Sequence, residues 1–197
     1  MTDTPLRVAV IIGSTREGRF GETVARWFVD QARQFHDLEI DVVDLRDTPL
    51  PTVQQAGPVG TGVYASAQVR AFAGRIDTAD AFVVVTPEYN HGYPASLKLA
   101  IDSVYPEWKA KPVGFVSYGG VSGGLRSVEQ LRLVFAEVHT VTIRDTVSFP
   151  MARRQFDADG VPGDPDRANA AAKKLLDELT WWADALREAR ARQPYRF

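Results

Sequence analysis

Three segments rich in glycine and small polar residues hold the side chains with which this chain could do chemistry. The first is GSTREGRFG, residues 13–21, directly after the apolar run LRVAVII. Small residues leave backbone N–H groups open to a ligand, and a helix starting near Gly21 would aim its positive end at the loop. Ser14 and Thr15 add hydroxyls, and Arg16 and Arg19 add charge-assisted donors suited to a phosphate dianion. No Gly-Lys-Ser/Thr follows and the glycine spacing is not GxGxxG, so the signatures of ATP hydrolysis and of Rossmann-type dinucleotide binding are both missing. Taken alone, a Ser/Thr/Gly turn with two solvated arginines would read the same way.

The second segment, TPEYNHGY (residues 86–93), closes an apolar run with an acid, an amide and two tyrosines. Tyr89 and Tyr93 suit stacking on a planar ring, and Asn90 with the loop amides suits its polar edge. His91 falls at the mouth of such a site, where an exposed loop histidine is as good a reading as a catalytic one. The third segment, SYGGVSGG (residues 117–124), includes Gly120-Val121-Ser122-Gly123-Gly124, which satisfies the G-x-S-x-G pattern of a nucleophile elbow. A serine hydrolase built on Ser122 would need a later acid and histidine, and the sequence offers only Glu129, Glu137 and His139. Glu129 falls within the following helical pattern and Glu137 stands beside His139, so neither is well placed.

The elements that must position these segments alternate along the chain. Residues 6–12, 38–45, 81–86, 111–117 and 140–148 read as short β-branched strands, the third continuous enough to be central. Between and after them, residues 21–35, 64–76, 94–105 and 125–138 carry apolar positions at helical spacing, and a last helix starts at Pro165 with Asp164 as its N-cap. Five such units imply parallel strands, right-handed crossovers and a doubly wound α/β sheet covered on both faces. In that architecture ligands bind beyond the carboxyl ends of the strands, where all three segments fall. A Pro/Gly-rich stretch, residues 47–62, is long for an idle connection.

Composition narrows the function. At 197 residues, 45% hydrophobic and 24% charged, the chain suits one globular domain, 1–197. Twenty-three basic against 25 acidic side chains give a net charge of −2, so no basic field awaits a nucleic acid. There is no cysteine, which excludes disulfides, thiol nucleophiles, Fe–S clusters and Cys-based zinc sites. His36, His91 and His139 are scattered, and no metal site is expected. The apolar run at 8–12 is shorter than the roughly 7–15 residues of a signal peptide core or the roughly 20 of a membrane span. No membrane association is expected, and the cytoplasm is the expected compartment.

Together GSTREGRFG, TPEYNHGYPASLKLAID and SYGGVSGG resemble the NAD(P)H-dependent FMN reductase family over about residues 6–149. The resemblance implies a flavodoxin-like fold with strand order 2-1-3-4-5. It implies an FMN phosphate held by Ser14, Arg16, Arg19, Phe20 and Gly21. Pro87, Glu88, Tyr89 and Asn90 would line the isoalloxazine, and Ser117, Gly119 and Gly120 would close its other side. Many members have Ser at the position of Arg19 and Asn at that of Gly21. The implied reaction is ping-pong two-electron transfer from NADPH or NADH through FMN to flavin, a quinone or a similar small-molecule acceptor, in a homodimer or homotetramer. No residue is required as an acid or base, because the flavin does the redox chemistry. An FMN-binding electron carrier of the same fold is the alternative, but such carriers are strongly acidic and this chain is not.

Overall fold

A computed structural model describes residues 4–197. Five strands form one parallel sheet: β1 (Leu6–Ile12), β2 (Leu38–Asp44), β3 (Ala81–Pro87), β4 (Pro112–Tyr118) and β5 (Val141–Phe149), in the order β2-β1-β3-β4-β5. This is the expected flavodoxin-like order. The apolar continuity that marks a strand covered on both faces is greatest in β3, all seven residues of which are buried. Alternate positions serve opposite faces. Val8, Val10, Ile12, Val83, Val85 and Val116 pack under α1 (Gly21–Ala32) and α5 (Pro165–Arg192). Ala9, Ile11, Phe82, Val84, Val113 and Phe115 pack under α2 (Ala67–Thr78), α3 (Ala95–Ser103) and α4 (Leu125–Glu137).

Register fixes where the site must be. Ile12 pairs with Asp44 and Val85, Pro87 with Tyr118, and Tyr118 with Phe149, so the carboxyl ends of all five strands meet along one edge. Two helix ends differ from the periodicity by three residues, the others by two or fewer. The first helix stops at Ala32, because residues 33–35 close as a tighter turn in which the Phe35 N–H reaches the Ala32 carbonyl at 3.1 Å. The second begins at Ala67 instead of Tyr64, where Ser66 caps it by accepting from the Val69 N–H. Asp164 caps α5 as expected, accepting from Arg167 N–H. The long connection after β2 is not structureless: it holds a helical turn at Val59–Thr61, and Tyr64 pins it by donating to Glu107 at 2.7 Å.

Candidate functional site

The loops after β1, β3, β4 and β5 enclose a cleft of about 530 Å³ at the carboxyl edge. Its first wall is the β1–α1 loop. Phe20 caps α1 without a side-chain hydrogen bond, so the first-turn N–H groups of that helix are open to an anion. The exposed guanidinium of Arg16 enters no ion pair and faces the cleft. Arg19 behaves differently from expectation. Its guanidinium forks onto Asp44 at the end of β2 and also reaches Glu22 and the Ser14 carbonyl, so that all five N–H donors have partners. The bonds to Asp44 hold its pKa above the ordinary arginine value. The side chain of Arg19 therefore ties the loop to β2 and has no donor left for a phosphate. Ser14 is fully buried, with Oγ 2.6 Å from the Tyr89 hydroxyl, which fastens the first loop to the second.

The second wall follows β3. Tyr89 and Gly92 exchange backbone hydrogen bonds of 2.9 and 3.0 Å around Asn90 and His91, both at positive φ (49° and 72°), the geometry of a type I′ turn. At this turn Asn90 and His91 are exposed and do not line the cleft, whereas Tyr89 does. Tyr93, expected to stack on a ligand, instead packs against the core under α3 and α4. Glu88 lines the cleft, yet its side chain is only 8% exposed and belongs to a latch. Ser122 Oγ donates to it at 2.6 Å, and Arg126 donates through its backbone N–H at 3.2 Å and its guanidinium at 2.9 Å. Burial alone would raise the Glu88 pKa, but these donors outweigh it and hold the carboxyl below its ordinary value.

The third wall is the β4–α4 loop, whose Gly119 and Gly120 line the cleft. It folds back at Gly123 and Gly124, both at positive φ; a Cβ at Gly124 would come within 3.0 Å of the Tyr118 backbone. Ser117 is fully buried and donates to the Gly123 carbonyl at 2.8 Å, so it shapes this loop from behind and does not face the cleft. The segment after β5 adds a wall that the sequence reading missed. Met151 and Ala152 N–H groups bond the Gly120 and Gly119 carbonyls, and Arg153 lies over the Phe20 ring while donating to Gly18 O at 3.0 Å. The nucleophile-elbow reading finds no support here. Ser122 donates to an acid, while His139 sits beyond the far end of α4, with Nδ1 3.0 Å from the Tyr195 hydroxyl.

Of the twelve residues singled out in the sequence, Arg16, Arg19, Phe20, Pro87, Glu88, Tyr89, Gly119 and Gly120 line the cleft. Ser14, Gly21 and Ser117 are buried, and Asn90 is exposed outside the cleft lining. The residue most clearly overlooked is Tyr118. Its hydroxyl is the one buried side-chain polar atom among the described residues without a hydrogen-bond partner. That hydroxyl explains Gly21, since a Cβ there would stand 2.5 Å from it. A tyrosine closing a central strand was the available signal. A dry hydroxyl donor, open N–H groups and an unpaired arginine around one cavity are what an acceptor-only phosphate dianion needs, so the residues present fit the phosphate of FMN.

Fold and cleft define a flavodoxin-like α/β protein with a strand-edge site suited to a phosphorylated planar ligand. Residues 6–154 match the family of the NADPH-dependent FMN reductases, and the chain belongs to that family. It is similar to an NAD(P)H-dependent FMN reductase of Schizosaccharomyces pombe, 42% identical over 120 residues that span 60% of each chain. It is also similar to an NADPH:quinone oxidoreductase of Arabidopsis thaliana, 34% identical over 182 residues, covering 89% of this chain and 84% of the relative. Among solved structures it resembles the flavoenzyme NAD(P)H:(acceptor) oxidoreductase FerB of Paracoccus denitrificans, with a TM-score of 0.72 at 25% identity, covering 91% of this chain and 98% of that one. This is an oxidoreductase family that uses NAD(P)H with FMN. No described helix is long and apolar enough to cross a membrane.

Proposed function

We propose that this chain, acting as one domain, is an FMN-dependent NAD(P)H oxidoreductase whose flavin sits in the carboxyl-edge cleft and whose second substrate is a quinone, free flavin or a similar small acceptor. The observation that carries the reading is the convergence of the uncapped first turn of α1 and the unpaired Arg16 on one cavity with Tyr89, Gly119 and Gly120. When bound, FMN supplies the two-electron redox chemistry, alternating between reduced nicotinamide and acceptor in ping-pong order.

The protein's part is positioning. Arg16 and the α1 N–H groups hold the phosphate, with Arg19 keeping the loop in place through Asp44. Tyr89, fixed by Ser14, and the backbone of Gly119 and Gly120 hold the ring system. The Glu88 latch keeps the second and third loops at a set separation. The reading includes a homodimer or homotetramer, supported by Val121, Leu125 and Leu133, apolar side chains 88%, 47% and 76% exposed on the third loop and α4. It also includes a cytoplasmic location.

The test is steady-state kinetics of NADPH oxidation with a benzoquinone acceptor. Parallel double-reciprocal lines, with a rate that vanishes when FMN is stripped and returns on its addition, are the expected result. A rate indifferent to FMN would overturn the proposal.

A further inference from the structure

Tyr118 ends β4, paired in register with Pro87 and Phe149, and its side chain turns toward the first turn of α1. It is 6% exposed, and the two hydroxyls nearest in kind, Ser14 and Tyr89, are engaged with each other at 2.6 Å. The cation closest along the loop, Arg19, has every donor occupied. The Tyr118 hydroxyl thus stands buried against Gly21 with no hydrogen bond of good geometry, its nearest acceptor being the Ser14 hydroxyl already engaged by Tyr89, and the open N–H groups of α1 favour negative charge there. Burial raises its pKa and outweighs the lowering by the nearby Ser14 hydroxyl and by Arg19 and Arg153, so it keeps its proton and serves as a donor. A buried donor without an acceptor is a standing cost in the flavin-free protein, relieved when an acceptor arrives.

We propose that Tyr118 is the donor by which this cleft recognises the phosphate of its flavin and discriminates FMN from riboflavin. The assignment rests on the FMN reading above and adds to it the atom that sets phosphate specificity. A phosphate oxygen can only accept and carries charge, so its bond to a dry hydroxyl is of the strong, charge-assisted kind. The terminal hydroxyl of riboflavin is neutral and shorter in reach, and gains little from the same donor.

The experiment is a fluorescence titration of the flavin-free full chain, wild type and Tyr118→Phe, with FMN and with riboflavin, alongside a thermal melt of each flavin-free protein. The expected result is a roughly tenfold to hundredfold loss of FMN affinity, with riboflavin affinity unchanged. The flavin-free variant should melt no lower than wild type, since the unsatisfied hydroxyl is gone. A second variant, Gly21→Ala, displaces the hydroxyl without removing it and should lower the same FMN-to-riboflavin ratio. Equal losses for both flavins, or an unchanged FMN affinity in Tyr118→Phe, would overturn the assignment. A wild-type chain that binds neither flavin would instead bring down the FMN reading, and this assignment with it.

Discussion

Replacing Glu88 by Gln tests whether the second and third loops are held together by charge. The carboxylate is 8% exposed and accepts three hydrogen bonds, from Ser122 Oγ and from the backbone and guanidinium of Arg126. Gln keeps one acceptor oxygen and turns an NH₂ toward a donor. The bond from Ser122, to a buried charge, is worth about 1.5–3 kcal/mol. The guanidinium of Arg126 is 51% exposed, which screens its ion pair to about 1 kcal/mol or less. Glu88→Gln should therefore destabilise the fold by about 2–3 kcal/mol in a denaturant titration at pH 7.

The pH dependence of that difference carries its own sign. Because the folded-state pKa of Glu88 is lowered from 4.5, its stabilisation is fully present above that value and is lost as pH falls through the folded-state value. The gap between wild type and variant should then narrow in acid. A variant as stable as wild type at pH 7, or a gap that never narrows however far the pH is lowered before both proteins unfold, would refute the latch.

Two further outcomes follow from particular side chains. Arg16→Ala removes the unpaired guanidinium of the cleft and should weaken FMN binding roughly tenfold to a hundredfold in a flavin titration, with the thermal melt of the flavin-free protein unchanged. Lys111 is 5% exposed, donates to the Ile76 and Asp77 carbonyls at the end of α2, and is pushed by burial down to about 8. The unfolded chain then binds more protons between pH 8 and 10.5, so stability should rise across that window, by about 3 kcal/mol at most. Lys111→Met should flatten that rise in melts compared from pH 8 to 10.

The fold was legible because burial writes itself into runs of residue types. β3, AFVVVT, is apolar throughout since both its faces are covered, and the alternating LEIDVVD of β2 marks the sheet edge. Helix ends were less legible, since Ser66 and the turn after Ala32 depend on local hydrogen bonds that periodicity does not record. Within the site, the loops could be read but not the direction of their side chains. Arg19 looks like a phosphate ligand until Asp44, twenty-five positions later, takes its guanidinium. Tyr93 and Asn90 look like ring contacts, yet Tyr93 packs half-buried against the core and Asn90, at the turn with His91, is exposed. Tyr118 carried no motif, and only the close approach to Gly21 and its missing partner bring it out.

The most direct measurement is the visible spectrum of the FMN-loaded protein under anaerobic conditions, before and after NADPH is added. Rapid bleaching of the bound flavin is the predicted result, since the proposed reaction requires the nicotinamide to reduce it directly. Bound flavin left unbleached by both NADPH and NADH would contradict the account and favour an electron carrier fed by another protein.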